Sequence, residues 1–374
     1  MEITKIRVPT HEQVMRIVDR DLGIDTIIAI HSTALGPALG GIRFWHYDSD
    51  DAMLADALAL SKAMSLKASA AGLFQGGGKA VTRWAAGAGP RSAEQLAVIG
   101  NAIDALGGRY LAAEDVGATT ADMDGIAAVT PWVTGVSESE GGSGDPSPVT
   151  AFGVWAAMRA AANERWGSTT LTDRHVVIQG AGKVGSSLAR SLHADGARVS
   201  VSDVDDARVA ALVKELKVQV LAPDAVITAE CDVLAPCAMG GAIDADHVAQ
   251  LRCEIVCGGA NNQLASIEMD DALAQRGILY APDFIVNAGG ILNIAEEFVG
   301  YSRDNAISAA ARIEGTTARV FEMAREWGCA PGHAAIRIAE ERIESHPFGT
   351  GRWEPGDPTA WTHGSPFVRV RPNR

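Results

Sequence analysis

The sequence predicts an α/β protein of two domains whose C-terminal half builds a doubly wound parallel sheet. Three observations carry that expectation. At 374 residues the chain exceeds what one ordinary core holds. The run GGSGDPSP at residues 141–148 is dense in Gly, Ser and Pro and reads as a hinge or linker. Beyond it, short apolar runs alternate with helical patterns, as βαβ units do.

In the first half, DTIIAIHS at residues 25–32 reads as an apolar strand. Residues 50–73 carry helical periodicity through Met53, Leu54, Ala57, Leu58, Leu60 and Met64, with Lys62 inside that helix and Lys67 near its C-terminal end. GGGKAV follows at residues 76–81. Three glycines there allow close approach of a ligand and backbone angles closed to other residues. A lysine behind them, near another cation, can lose its proton near neutral pH and act as a base. Residues 94–106 read as a helix, and 109–113 as a strand that delivers Glu114 and Asp115 to its end.

After the break comes the helix AFGVWAAMRAAANERW, then the strand HVVIQ at 175–179, a glycine turn and helix, and the strand ARVSVSD at 197–203. Further strands are expected at 218–221, 233–235, 255–257 and 278–281. Gly180-x-Gly182-x-x-Gly185 follows a strand and opens a helix, the context a Rossmann-type dinucleotide site requires. The first glycine permits the turn, the second admits the pyrophosphate, and the third lets helix and strand pack. The helix N-terminus offers amide donors to phosphate. Asp203, 18 residues after Gly185, can accept hydrogen bonds from the adenosine ribose. Asp203, Asp205 and Asp206 together should repel a 2′-phosphate, favouring NAD over NADP, with Arg208 as the opposing residue.

Residues 304–344 read as helices that return to the first domain. The expected domains are therefore 1–145 joined by 320–346, a dinucleotide domain at 146–319, and a Pro/Gly-rich tail at 347–374. Trp353, Trp361 and Phe367 give the tail something to bury if it packs on a neighbouring subunit.

Composition narrows the function. A net charge of −14 argues against nucleic acid as a partner. Apolar content of 47% with 21% charged residues is that of a globular enzyme. No leader-like segment and no long apolar run points to a membrane, so a cytoplasmic location is expected. Cys231, Cys237, Cys253, Cys257 and Cys329 show no zinc-like spacing. Cys253 and Cys257 read as core positions on one face of a strand, and no metal is expected.

The residues also match a known family. GPALGGIRFW (36–45), MSLK (64–67), GGGK (76–79), EDVG (114–117), DPSPVTA (145–151), APCAMGG (235–241), GGANNQL (258–264) and YAPDFIVNAGG (280–290) resemble the NAD-dependent Glu/Leu/Phe/Val amino-acid dehydrogenases. The likeness is greatest to the leucine/valine/phenylalanine branch, and runs in order from about His11 to Glu344. It implies a substrate and oligomerisation domain in the N-terminal part, a cleft between the domains, and a homo-oligomer. DPSP stands where NPSP is commoner, Phe74 and Gln75 precede GGGK where smaller residues are frequent, and the tail is unlike the family.

Residue by residue, the resemblance implies that Lys67 binds the substrate α-carboxylate. Lys79 polarises the keto oxygen and activates water, and Asp115 handles protons at the amino nitrogen. Asn261 stands at the junction of substrate and nicotinamide, where Thr150 and Asn287 are contacts. Further cofactor contacts are expected at Lys183, Val184, Val204, Cys237 and Ala238. Hydride leaves Cα, water adds through a carbinolamine, and ammonia departs. An unprotonated lysine beside a cationic one is the base.

Leu39, Gly40, Met64, Ala113, Val116, Ile291 and Ile294 are the implied pocket lining. They are aliphatic, with no Arg or Lys placed for a side-chain carboxylate, which disfavours glutamate. Branched Ile291 and Ile294 favour leucine, isoleucine or valine, with phenylalanine or tryptophan as the alternative. An amine dehydrogenase is disfavoured because Lys67 and Asn261 are both intact. A catalytically inactive NAD-binding regulator is the reading from a different class, opposed by intact Lys67, Lys79 and Asp115.

Overall fold

A computed structural model describes residues 1–345 other than 86, 239 and 242. The expected tail, with Trp353, Trp361 and Phe367, lies outside the described residues. The chain divides into two compact units. Among the described residues, one comprises Met1–Gly144, Ile294–Arg303 and residues 339–345; the other comprises Asp145–Asn293 and Asp304–Ile338. The division falls inside the Gly/Pro run at 141–148, beside the anticipated boundary.

The first unit contains β1 (Glu2–Ile6), β2 (Gln13–Asp19), β3 (Ile24–Ser32), β4 (Ala38–Trp45), α1 (Asp50–Ala70), β5 (Gly76–Arg83), α2 (Ala93–Asp104), β6 (Tyr110–Glu114) and α3 (Thr120–Ala127). Its sheet runs β1-β2-β3-β5-β4-β6. The pairs from β1 to β5 are antiparallel, whereas β4 lies parallel to both β5 and β6. Side chains alternate across the sheet. Val81 joins Met53 and Ala57 of α1 on one face, while Ala80 joins Ile99 of α2 and Ile126 of α3 on the other. Lys79 therefore lies on the face that α1 covers. Ser49 caps α1 by accepting the Ala52 N–H, Asp50 and Asp51 fill its first turn, and Lys67 its last, in accord with the helix dipole.

The three glycines before Lys79 correct the sequence reading. They form the start of β5, and none has a positive φ. A side chain on Gly76 would collide with the Ser32 carbonyl, and one on Gly77 with the backbone and hydroxyl of Ser65 on α1. At Gly78 it would stand 2.7 Å from the Tyr110 ring. The glycines let α1 and the neighbouring strands close on β5; they do not supply unusual backbone angles.

The second unit runs α4 (Ser147–Trp166), β7 (His175–Gln179), α5 (Lys183–Ala194), β8 (Arg198–Ser202), α6 (Asp206–Leu216), β9 (Gln219–Val220), β10 (Val233–Pro236), α7 (Ala245–Gln250), β11 (Ile255–Val256), α8 (Glu268–Gln275), β12 (Leu279–Tyr280) and α9 (Asp283–Val286). Then follow α10 (Gly289–Ala295), α11 (Arg303–Trp327) and α12 (Pro331–Glu344). The sheet is wholly parallel in the order β12-β11-β10-β7-β8-β9. From central β7 the chain builds outward through β8 and β9, then returns to place β10 on the other side. That reversal is the topological switch point at which such sheets bind ligands. Strands expected at 218–221, 255–257 and 278–281 pair over two residues each, while Cys253 and Cys257 are buried.

The C-terminal return also differs from expectation. Most of α11, and the chain as far as Ile338, belongs to the second unit; Ile294–Arg303 and residues 339–345 belong to the first. Packing explains this. Ile313 of α11 fills the space beside Gly153 of α4, where a Cβ would stand 2.6 Å from its Cδ1, and Arg159 pairs with Glu314 at 3.1 Å.

Candidate active site

Lys79 is 4% exposed, and its Nζ lies 2.8 Å from Asp115 Oδ2. Burial is the largest influence on this lysine and pushes its pKa below the ordinary range. Asp115 opposes that shift and Arg43 adds to it. Burial alone would raise the Asp115 pKa, but Lys79 and Arg43 outweigh it and hold the carboxyl below the usual value. The site thus pairs an ionised carboxylate with a lysine whose proton is unusually labile. Arg43 stands beside the pair as a further cation.

Of the other residues expected on the substrate side, Leu39, Gly40, Met64, Lys67 and Ala113 lie on β4, β6 and α1. Leu39 and Ala113 are buried on β4 and β6. Gly40 lets β5 close on β4, since a Cβ there would stand 1.7 Å from the Gly78 carbonyl oxygen, with Met64 Cγ of α1 next at 3.3 Å. Met64 and Lys67 are half-buried, three residues apart on one stretch of α1, whereas Lys62 is exposed. Val116 is 49% exposed. Ile294 is half-buried on α10 and belongs to this unit; Ile291, buried on the same helix, belongs to the second.

In the second unit the fingerprint sits at the carboxyl end of β7. Gly180, at φ 105°, adopts a conformation that favours glycine, and a Cβ there would stand 2.9 Å from the Ala238 nitrogen. Cys237 donates its N–H to the Gln179 carbonyl at 2.7 Å, so the loop after β10 lies against the glycine turn. Burial pushes the Cys237 thiol up to about 11, leaving it a neutral wall. Gly182 caps α5 and faces open space: a Cβ would meet nothing nearer than Arg208 Nη1 at 4.0 Å. An open backbone at a helix N-terminus fits a pyrophosphate, so the residues present suit a dinucleotide.

The remaining predicted contacts lie in the same unit. Asp203 accepts the Ala181 N–H on Oδ2 at 2.6 Å and the Asp205 N–H on Oδ1 at 2.9 Å. It therefore also ties the glycine turn to the end of β8. Val204 is 91% exposed, and Arg208 pairs with Asp205 at 3.1 Å. Lys183 pairs with Asp145 at 3.4 Å, and Val184 packs where a Gly259 side chain would go. Asn287 Nδ2 donates to Asn261 Oδ1 at 2.9 Å, while Asn262, at φ 50°, is the turn residue of that pair. Thr150 Oγ1 donates to the Pro146 carbonyl at 3.1 Å in the first turn of α4.

Arg43, Asp56 and Tyr47 were missed. Arg43 Nε contacts Asp115 Oδ2 at 3.0 Å, its guanidinium pairs with Asp56 at 3.1 Å, and the Tyr47 hydroxyl donates to Asp56 at 2.6 Å. The signal was a lone arginine inside the apolar strand ALGGIRFW, where a charge is retained only if paired. Among the described residues no group of three or more His, Cys, Asp or Glu side chains could hold a metal ion, and no helix is long and apolar enough to cross a membrane.

A parallel sheet with an open glycine turn at its switch point is the frame of a dinucleotide-binding domain. A family model described as Glu/Leu/Phe/Val dehydrogenase, dimerisation domain, matches residues 10–131. One described as Glutamate/Leucine/Phenylalanine/Valine dehydrogenase matches 141–210 and 205–327. The chain is 44% identical to the leucine dehydrogenase of Bacillus cereus over 338 residues, 90% of this chain and 91% of that protein. It is 48% identical to the valine dehydrogenase of Streptomyces coelicolor over 339 residues, 89% of this chain and 92% of that one. Among solved structures, L-tryptophan dehydrogenase from Nostoc punctiforme aligns with a TM-score of 0.80 at 36% identity, covering 90% of this chain and 97% of that one. This chain belongs to the Glu/Leu/Phe/Val dehydrogenase family and is an amino-acid dehydrogenase.

Proposed function

We propose that this enzyme oxidatively deaminates an aliphatic L-amino acid, with leucine, isoleucine and valine foremost, to the 2-oxo acid and ammonia, using NAD. The observation that carries the reading is the pair of buried Lys79 and half-buried Asp115, a proton acceptor and a proton carrier 2.8 Å apart. The bound nucleotide supplies the acceptor for the hydride that leaves Cα. Lys67 holds the α-carboxylate, and the cation at the end of α1 is reinforced there by the helix dipole. Lys79 Nζ, its proton made labile by burial, takes a proton from the attacking water and then stabilises the oxygen formed. Asp115 moves protons at the amino nitrogen.

The preference for NAD rests on the end of β8. Asp203, Asp205 and Asp206 crowd negative charge there, and Arg208, the cation that could receive a 2′-phosphate, is paired with Asp205. The substrate class rests on aliphatic Leu39, Met64 and Ala113, and on the leucine and valine specificities named for the relatives. Arg43, a cation in this part of the molecule, is matched by Asp115 and Asp56, so it is not free for a side-chain carboxylate. The tryptophan dehydrogenase likeness supports an aromatic substrate as the second reading. The description of residues 10–131 as a dimerisation domain supports a homo-oligomer, which we place in the cytoplasm.

The test is reduction of NAD across a panel of L-amino acids at alkaline pH, with NADP alongside. Leucine, isoleucine and valine with NAD should lead. Phenylalanine or tryptophan in front would move the substrate to the second reading, equal rates with NADP would remove the cofactor preference, and silence throughout would favour the non-catalytic regulator.

A further inference from the structure

Asp115 is held by two cations through a single oxygen. Lys79 Nζ and Arg43 Nε both reach Oδ2, at 2.8 and 3.0 Å, while no described residue bonds Oδ1 on a side chain that is 23% exposed. Gly41 makes the arrangement possible, because a Cβ there would stand 2.5 Å from Asp115 Cβ. Arg43 is itself fixed from the other side: its Nη1 pairs with Asp56 of α1, which also receives the Tyr47 hydroxyl. The chain Tyr47–Asp56–Arg43–Asp115 therefore runs from α1 and the loop before it, through β4, to the end of β6.

We infer that Arg43 is a positioning residue for the reaction: it clamps Asp115 through Oδ2, so that Oδ1 is the oxygen presented to the reacting amino nitrogen. The inference rests on the reading of Asp115 as the proton carrier. A planar guanidinium bonded at Nε and Nη1 fixes direction as well as charge, which an ammonium does not.

Electrostatics points the same way. The charged and titratable groups acting on Asp115 include Lys79 from β5, Arg43 from β4, Tyr110 from β6 and Tyr47 from the loop before α1. Those acting on Lys79 are Asp115, Arg43 and Asp56. Removing Arg43 takes a stabilising cation from Asp115, whose pKa then rises. It also takes a repelling cation from Lys79, whose pKa rises too. An activity that needs Asp115 ionised and Lys79 neutral then begins at higher pH.

The test compares Arg43→Met and Arg43→Lys with wild type, reading kcat, KM for leucine and the pH profile of kcat/KM on folded protein. Arg43→Met should lower kcat by roughly 10–100-fold, as misplacement of a reacting group does. KM should change little, and the acidic limb should move up by about one pH unit. Arg43→Lys should restore the position of the limb but only part of kcat. A lower kcat with an unmoved limb, or full activity in Arg43→Met, would overturn the inference. If Arg43→Met fails to fold, Arg43→Lys decides: wild-type kcat there means that the guanidinium geometry has no role. Asp115→Asn separates the two levels, since wild-type kcat in that variant overturns the underlying reading of Asp115.

Discussion

The carbonyl oxygen of Gly180 occupies the space in which Gly185 would carry a side chain. The end of β7 and the first turn of α5 therefore touch backbone to backbone. Gly182, between them, has open space on that side and an ordinary φ of −69°. Two glycines of one motif thus answer to different demands, packing and ligand access.

Gly185→Ala should accordingly destabilise the protein, by about 1–3 kcal/mol, as overpacking of a close contact does. Gly182→Ala should leave the thermal midpoint near wild type and raise KM for NAD about tenfold, a loss of ~1.4 kcal/mol in binding. Thermal unfolding and cofactor kinetics on both variants check this. Equal destabilisation by the two substitutions would contradict it.

Lys67 and Lys62 lie on the same helix, one half-buried and one exposed. Lys67→Ala should raise KM for the amino acid by roughly 10–100-fold, the loss expected when a charged hydrogen-bonding partner is removed. Lys62→Ala should leave it unchanged. An unaltered KM in Lys67→Ala would remove the carboxylate assignment.

Ile291 is 5% exposed in α10. If it limits the substrate side chain, Ile291→Ala should raise kcat/KM for phenylalanine relative to leucine by about tenfold or more, the scale that one or two methylenes command. An unchanged ratio would show that the pocket size is set elsewhere.

His31 donates to or accepts from Ser65 Oγ at 2.8 Å, with the His11 ring 5.0 Å away. Burial, then the charges of His11 and Lys62, lower its pKa from 6.5 to about 4. The folded state therefore binds this proton more weakly than the unfolded state. The stability is fully present above pH 6.5 and is lost progressively as pH falls toward 4. The loss attributable to His31 is on the order of 2–3 kcal/mol. Melting His31→Gln beside wild type from pH 7 to 4 should give a visibly flatter dependence, and parallel curves would contradict the assignment.

Much of this was legible in the sequence because the informative elements are local. HVVIQ lacks alternation because β7 is buried on both faces, and a glycine turn must follow it if phosphate is to approach. The helix at 50–73 was readable from its 3.6-residue period, and it is α1. What was not legible depends on contacts distant in sequence. Gly76–Gly78 read as a ligand loop because nothing local reveals Ser65 and Tyr110 pressing on them. Arg43 has no local partner either: it is 72 residues from Asp115, which the fold brings within 3.0 Å. The long helix α11 carries the same apolar period whichever unit it packs against, so its place in the second unit followed only from its contact with Gly153.

The central claim is that Lys79 performs the proton chemistry. Its most direct test is kcat of Lys79→Ala with saturating leucine and NAD, on protein shown to melt as wild type. A fall of roughly 10²–10⁴-fold is expected, the contribution of a positioned general base. A variant that keeps a tenth or more of wild-type kcat would contradict it.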